Sequence, residues 1–123
     1  MQPNTIGDVS FWYADIGLPQ TRRPALQGDS TADVAIIGAG FTGLWAAWYL
    51  KQAQPGLNVL VIEKEFAGFG ASGRNGGWCM GTFAWNHEAY AKATSREAVL
   101  EQVRELEGTV AEITRVSVEI LGG

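Results

Sequence analysis

The fold of this chain is decided by the stretch Asp33-Val34-Ala35-Ile36-Ile37-Gly38-Ala39-Gly40-Phe41-Thr42-Gly43. Its first five residues are almost all apolar and predict a buried strand, and the glycine motif G-x-G-x-x-G follows directly. A helical pattern then runs from the glycines to about Gln54, where Pro55-Gly56 predicts its end. Residues 58–63 predict a second apolar strand that closes with an acid, Glu63. Strand, glycine motif, helix, strand and acid, in this order, are the dinucleotide-binding fingerprint.

Each part of the fingerprint has a physical reason. Gly38 can adopt the backbone angles of a tight turn, Gly40 lets the main chain approach a pyrophosphate, and Gly43 lets the helix lie close to the sheet. The start of the helix offers unpaired N–H groups and the positive end of its dipole to a pyrophosphate. Glu63 can accept hydrogen bonds from a ribose diol and would repel a 2′-phosphate, which favours FAD or NAD over NADP. The alternative is a glycine-rich turn in a βαβ unit without ligand, and the agreement of all five parts makes that alternative the weaker one.

Composition and charge limit the function classes. The chain has 123 residues, of which 46% are hydrophobic and 18% charged, so a packed domain is expected rather than disorder. Its net charge of -4 and its lack of a basic run argue against a nucleic-acid surface. Cys79 is the single cysteine, which excludes an internal disulfide and a thiolate zinc cluster and predicts a buried or idle thiol. No secretory signal or membrane-spanning run is visible, so we expect a cytoplasmic protein without membrane or metal.

The chain divides by pattern into three segments. Residues 1–32 predict an irregular arm whose Phe11-Trp12-Tyr13 cluster packs onto the domain, with packing favoured over a binding role for Trp12. Residues 33–82 hold the βαβ unit and a second glycine-rich stretch, and residues 83–123 hold a connecting segment and a helix. Only two strands are predicted, and an open parallel sheet needs more, so we expect the N-terminal part of a larger fold.

The last segment carries a weaker signal. Thr94-Ser95-Arg96-Glu97 is typical of a capping box, and apolar residues then recur at steps of three and four, which predicts an amphipathic helix to about Ile120. Packing onto the cofactor domain is favoured over a coiled-coil seam for this helix. The segment from Thr82 to Ala93 lacks a pattern, and its His87 is expected to be a surface residue rather than a catalytic one.

The second glycine-rich stretch is Gly68-Phe69-Gly70-Ala71-Ser72-Gly73-Arg74-Asn75-Gly76-Gly77-Trp78. A flexible loop would explain the glycines alone. However, Ser72, Arg74 and Asn75 are hydrogen-bond donors interleaved among them, and the stretch leaves the carboxyl end of the second strand, where ligands of open α/β sheets bind. We therefore predict that it wraps a large anionic cofactor.

Residues 35–44, Glu63 and residues 68–78 together resemble the start of the D-amino-acid-oxidase-like FAD-dependent oxidoreductases. The likeness is greatest to the gamma-glutamylputrescine oxidoreductase branch, which oxidises amines, and the Phe11-Trp12 arm resembles that branch as well. The resemblance implies an α/β class, namely the N-terminal part of a Rossmann-like FAD-binding fold followed by the long amphipathic helix. It also implies these cofactor-binding residues: Gly38, Ala39, Gly40, Phe41, Thr42, Gly43, Glu63, Lys64, Gly70, Ala71, Ser72, Gly73, Arg74, Asn75, Gly76 and Gly77.

The resemblance further implies an activity. The intact enzyme would pass a hydride from the carbon bearing the nitrogen of a small-molecule amine or amino acid to FAD, giving an imine. Some relatives bind flavin covalently through a histidine in the second stretch, and its absence here predicts dissociable FAD. No catalytic residue is expected within these 123. Two alternatives stay open, an NAD-binding regulatory module and a truncated chain that is inactive alone.

Overall fold

The structure is a computed structural model that describes residues 10–82 and 86–122. It forms two compact units, which meet in the chain between Gly76 and Gly77. Residues 1–9 of the predicted arm, and Trp85, lie outside the described residues. The described elements are the helices α1 (Phe11–Ile16), α2 (Phe41–Ala53), α3 (His87–Ala93) and α4 (Arg96–Leu121), the strands β1 (Val34–Ile37) and β2 (Val59–Ile62), and a 3-10 turn, Ala71–Gly73.

The two strands pair in parallel, as the βαβ pattern predicts. Val34 lies opposite Val59 and Ile37 opposite Ile62. At the entrance to the ladder, the Asp33 carboxylate accepts a hydrogen bond from the Asn58 amide at 2.8 Å and so holds the strand starts in register. At the exit, the Gly38 amide donates to the Ile62 carbonyl at 2.7 Å. The glycine motif therefore begins where the ladder ends, and the mixed α/β fold with parallel strands is confirmed.

Helix α2 follows the glycine motif and packs on the sheet through Gly43. A Cβ atom at Gly43 would collide with the Gly38 carbonyl oxygen and would lie 3.2 Å from a methyl group of Ile36. The helical spacing predicts that four side chains face inward: Leu44, Ala47, Trp48 and Leu50. Ala47, Trp48 and Leu50 are half-buried, but Leu44 is 45% exposed, so the prediction for Leu44 was wrong. Two strands, the number present in the described residues, form too narrow a sheet to cover the whole apolar stripe of the helix.

The C-terminal end of α2 is stabilised by a backbone hydrogen bond and by the side chain of Lys51. The Gln54 amide donates to the Leu50 carbonyl, and the ammonium group of Lys51 donates to the carbonyls of Pro55 and Leu57. The positive charge of a lysine in the last turn also interacts favourably with the negative end of the helix dipole. This end is exposed, as the polar residues there predict.

The arm is partly helical, which corrects the prediction of an irregular segment. Ser10 is buried, and its hydroxyl accepts from the Tyr13 amide at 3.5 Å, while Gly17 ends α1 with a φ of 78°. The aromatic cluster also divides: Tyr13 is buried, whereas Phe11 is 73% exposed. An N-cap and a terminal glycine thus build one short helix in a segment whose prolines and glycines favoured irregular structure.

The second unit contains the helices α3 and α4. Asn86 caps α3 by accepting from the amides of Glu88 and Ala89, and this cap explains a helix that no apolar periodicity predicted. Helix α4 begins where expected, but Ser95 is its cap, with the Ala98 amide as donor at 3.1 Å. The capping box that would start at Thr94 is therefore wrong by one residue.

Only some of the apolar residues in the periodic pattern of α4 are buried. Val99 and Val116 are buried, whereas Val110, which the periodicity places with them, is 38% exposed. Gly81 lies against the helix, because a Cβ atom there would be 2.6 Å from the Leu106 carbonyl oxygen. Within the described part of the chain, no helix is long and apolar enough to span a membrane.

Candidate functional site

Two glycine-rich segments meet at the start of α2. We name them the first glycine turn (38–43) and the second glycine loop (68–76). The Gly68 amide donates to the Ala39 carbonyl at 2.9 Å, and the Phe41 amide donates to the Ser72 hydroxyl at 2.9 Å. The two segments are separated by a helix and a strand in the sequence, and the parallel crossover returns the chain to the same end of the sheet.

The start of α2 keeps two backbone donors unused. In residues 10–82 and 86–122, the amides of Thr42 and Gly43 donate no hydrogen bond, because the residues three and four positions earlier lie outside the helix and do not accept from them. The positive end of the helix dipole lies at the same place. Unpaired amides at a helix start are a ready anion site.

Glu63 follows β2 and is hydrogen-bonded to the first glycine turn. One carboxylate oxygen accepts from the Ala39 amide at 2.9 Å, and the other accepts from the Glu65 amide at 3.1 Å. These backbone donors, with that of Ala39 first, hold the pKa of the Glu63 carboxyl below its ordinary value, and the partial burial of the group opposes them. The carboxylate has further lone pairs, so it stays charged and can accept hydrogen bonds from hydroxyl groups as well.

The second glycine loop is held by its own polar groups. The Asn75 side-chain amide donates to the Ala71 and Ser72 carbonyls, at 3.3 and 2.7 Å. The Arg74 guanidinium donates to the Phe69 carbonyl at 2.9 Å and lies 4.6 Å from the centre of the Phe69 ring. Asn75 and Arg74, which the sequence suggested as donors to a ligand, therefore also fold the loop that carries them.

Flexibility is not the only reason for glycine in this loop, because Gly73 occupies a position that has no space for a side chain. A Cβ atom there would collide with the Gly68 carbonyl oxygen and with the Tyr13 hydroxyl, because the loop closes tightly on itself at this point. The Gly68 backbone has a φ of 82°, which side chains rarely adopt. The loop is therefore a specific compact turn in this structure.

The structure brings most of the predicted site residues to one end of the sheet unit. Lys64 is exposed beside Glu63, and its backbone amide is a further hydrogen-bond donor that lowers the pKa of the Glu63 carboxyl. Gly77 is the first residue of the second unit. The first unit contains the other predicted residues: Gly38, Ala39, Gly40, Phe41, Thr42, Gly43, Glu63, Lys64, Gly70, Ala71, Ser72, Gly73, Arg74, Asn75 and Gly76.

Two residues of the arm contact the second glycine loop, whereas the sequence favoured packing onto the domain for the aromatic cluster and left a binding role for Trp12 as the lesser alternative. The Tyr13 hydroxyl donates to the Gly68 carbonyl at 2.7 Å, and the Trp12 ring N–H donates to the Asn75 carbonyl at 2.6 Å. Their acceptors are backbone carbonyls more than fifty residues away in the chain. No local pattern indicates such partners, so only the tertiary structure reveals them.

The remaining sequence candidates lie in the second unit. His87 is exposed at the start of α3, as expected. Cys79 is exposed, so the buried alternative of the prediction was wrong, and an idle thiol stays a prediction. Its neighbours Trp78 and Met80 are also exposed, and no apolar cluster covers the sulfur. No group of three or more His, Cys, Asp or Glu side chains in the described ranges could hold a metal ion.

A parallel βαβ unit with a glycine turn at the start of its helix, and an acid after its second strand, defines a dinucleotide-binding α/β protein. The comparison with known families is specific: the model of the FAD dependent oxidoreductase family, DAO, matches residues 33–118, well over half of the chain. The chain belongs to this family, and FAD is the family's cofactor. The family predicted from residues 35–44, Glu63 and residues 68–78 is confirmed.

The chain is also similar to individual curated proteins. The chain is 39% identical over 89 residues to a probable oxidoreductase OrdL from Haemophilus influenzae, covering 72% of this chain and 20% of that protein. It is 41% identical over 85 residues to gamma-glutamylputrescine oxidoreductase from Escherichia coli, covering 69% of this chain and 20% of that protein. The chain therefore spans about a fifth of the length of these two relatives. No solved structure matches it.

Proposed function

We propose that this chain is the FAD-binding part of an oxidoreductase that oxidises the CH–NH bond of an amine or amino acid. One observation supports the FAD site above all: the first glycine turn and the second glycine loop are hydrogen-bonded to each other at the helix start, where two backbone amides are unused. Glu63 is hydrogen-bonded to the same turn. The likeness to gamma-glutamylputrescine oxidoreductase supports an amine as substrate.

The residues present fit the ADP half of FAD. The unused amides of Thr42 and Gly43 would hold the pyrophosphate, with the dipole of α2 favouring its negative charge. The Ser72 hydroxyl lies at the same helix start, where it accepts from Phe41 and keeps its own proton for donation. The low pKa of Glu63 keeps the carboxylate ionised to accept from the ribose hydroxyls. Lys64 and the second glycine loop would flank the adenine and the flavin.

When bound, FAD supplies the hydride acceptor for the carbon that carries the substrate nitrogen. The residues of this chain bind and orient the cofactor, and none of them is assigned a proton-transfer step. The second glycine loop contains no histidine, which supports a cofactor that is held without a covalent bond. No residue of this chain is assigned to substrate binding or to the electron acceptor.

The FAD proposal is tested by titrating the purified 123-residue chain into FAD and following flavin fluorescence. We expect a saturable change with FAD, competition by ADP, and much weaker binding of FMN, which lacks the adenosine half that Glu63 would hold. The absence of a saturable change with FAD would overturn the proposal and favour a chain that binds nothing by itself. Tighter binding of NAD than of FAD would favour a nicotinamide-binding regulatory module.

The substrate class needs a separate experiment. A protein that carries this segment together with its remaining domains, loaded with FAD and kept without oxygen, should lose its flavin absorbance when an amine is added. Alcohols of the same carbon skeleton should leave the absorbance unchanged, because they lack the CH–NH bond. Equal bleaching by both would contradict the amine proposal and leave FAD binding intact. A cytoplasmic location and a small-molecule partner, without nucleic acid or membrane, are part of the same proposal.

A further inference from the structure

We propose that Trp12 and Tyr13 are positioning residues that hold the second glycine loop in the conformation that receives FAD. The inference rests on the proposed FAD site and adds the arm to it. The family match covers residues 33–118, so neither this match nor the glycine motifs include the arm. The two side chains are adjacent in α1 and act on opposite ends of the loop. The loop is thereby fixed from outside the βαβ unit.

Tyr13 holds the beginning of the loop. It is 8% exposed, its ring meets the Phe66 ring edge to face at 5.4 Å between centroids, and its hydroxyl donates to the Gly68 carbonyl at 2.7 Å. The amide of the same glycine donates to the Ala39 carbonyl in the first glycine turn. Gly68 therefore links the arm to the turn that would hold the pyrophosphate, and the Gly73 backbone closes against the same hydroxyl.

Trp12 holds the end of the loop. Its ring N–H donates to the Asn75 carbonyl at 2.6 Å, although the side chain is 41% exposed. The Asn75 side chain in turn donates to the Ser72 carbonyl at 2.7 Å, and the Ser72 hydroxyl accepts from the first amide of α2. The hydrogen bond of Trp12 thus continues through two loop residues to the helix start.

A loop of glycines and small residues has much conformational entropy to lose on binding a ligand. Contacts that order the loop before FAD arrives remove part of that cost from the binding step, and the affinity rises accordingly. An arm that merely completes the core would change stability without changing affinity. If the arm orders the loop, its substitution changes the affinity for FAD; if the arm only packs, its substitution changes the stability alone.

The test compares Tyr13→Phe and Trp12→Phe with Ile16→Ala, a substitution on the same helix at a residue that is 74% exposed. Tyr13→Phe removes one hydroxyl and keeps the ring against Phe66. For each variant, the dissociation constant for FAD, the melting temperature and the exchange of the amide hydrogens of Gly68, Gly73 and Arg74 are measured. These three amides donate hydrogen bonds that define the loop and its link to the first turn.

We expect Tyr13→Phe and Trp12→Phe each to raise the dissociation constant about three- to tenfold, the worth of one ordinary hydrogen bond, and to speed exchange of the loop amides. Ile16→Ala should leave both unchanged. A lower melting temperature with an unchanged dissociation constant and unchanged loop exchange would overturn the inference and reduce the arm to packing. If the unsubstituted chain fails to bind FAD, the proposed function fails. Loop exchange without FAD then decides by itself whether the arm orders the loop.

Discussion

The two compact units of this chain are specified in different ways. In the unit that ends at Gly76, structure depends on backbone approaches that exclude side chains and on hydrogen bonds between distant segments, such as Gly68 with Ala39. In the unit that begins at Gly77, a long helix is built mainly by local signals, namely a cap at Ser95 and an apolar stripe with Val99 and Val116 buried, and a close backbone approach occurs at Gly81. Tolerance to substitution should therefore differ sharply between the units.

The largest effect is expected at Gly43 in the first unit. Gly43→Ala should lower the free energy of unfolding by about 3 kcal/mol, the upper end for overpacking, because its Cβ atom meets a backbone carbonyl that cannot rotate away. FAD binding should be lost with the helix start. The checks are thermal unfolding followed by circular dichroism and the FAD titration. Unaltered stability and affinity would show that α2 can move off the sheet and would remove the main contrast between the units.

The second largest effect is expected at Glu63, where the substitution removes a negative charge. Glu63→Gln should weaken FAD binding about tenfold, because a neutral amide replaces a carboxylate that accepts charge-assisted hydrogen bonds. Glu65, which is on the same segment, provides the control: Glu65→Gln removes the exposed ion pair with Arg22 and should change the affinity little. Equal losses in both variants would indicate a general charge effect.

The lowered pKa of Glu63 also predicts a pH dependence. A carboxyl whose folded pKa lies below its unfolded value of about 4.5 stabilises the fold fully above that pH, and this contribution is lost as the pH falls through the folded pKa. Melting temperatures measured from pH 7 downward should therefore fall in this acidic range. The fall should be smaller for Glu63→Gln, and an identical pH profile in both proteins would contradict the assignment.

In the second unit, Val116→Ala should cost about 1.6 kcal/mol, because two buried methyl groups are lost at about 0.8 kcal/mol each. Val116 is 3% exposed, whereas Val118 on the same helix is 55% exposed, so Val118→Ala is the matched control and should cost much less. Helical content on heating is the measurement. Affinity for FAD should stay within about twofold, and a larger change would show that α4 supports the site.

The smallest effect is a gain. Gly108 lies in α4 with nothing within 4 Å of the position that a Cβ atom would take, so Gly108→Ala should raise the free energy of unfolding by about 0.5 to 1 kcal/mol. The same exchange of glycine for alanine at Gly43 has the opposite sign. A loss of stability would mean that a close approach constrains Gly108, as one constrains Gly81 in the same unit.

Prediction from sequence succeeded where the signal is local. The strands, α2 and α4 were predicted within one or two residues of their observed ends, because apolar periodicity, caps and glycines act over a few positions. It failed at Leu44, whose exposure depends on how wide the sheet is, and at α1 and α3, whose helices rest on single caps at Ser10 and Asn86.

The amino-acid sequence by itself determined the order of strand, glycine turn, helix, strand and acid, since each of these follows from residues that are neighbours along the chain. Only the tertiary structure decided that Ser72 meets Phe41, that Glu63 accepts from Ala39, and that the arm reaches both ends of the second glycine loop. These contacts join residues 24 to 63 positions apart. Each of these hydrogen bonds has a backbone group as one partner, and a backbone group leaves no residue-specific trace in the sequence. The bonds form only once the parallel crossover has brought the segments to one end of the sheet.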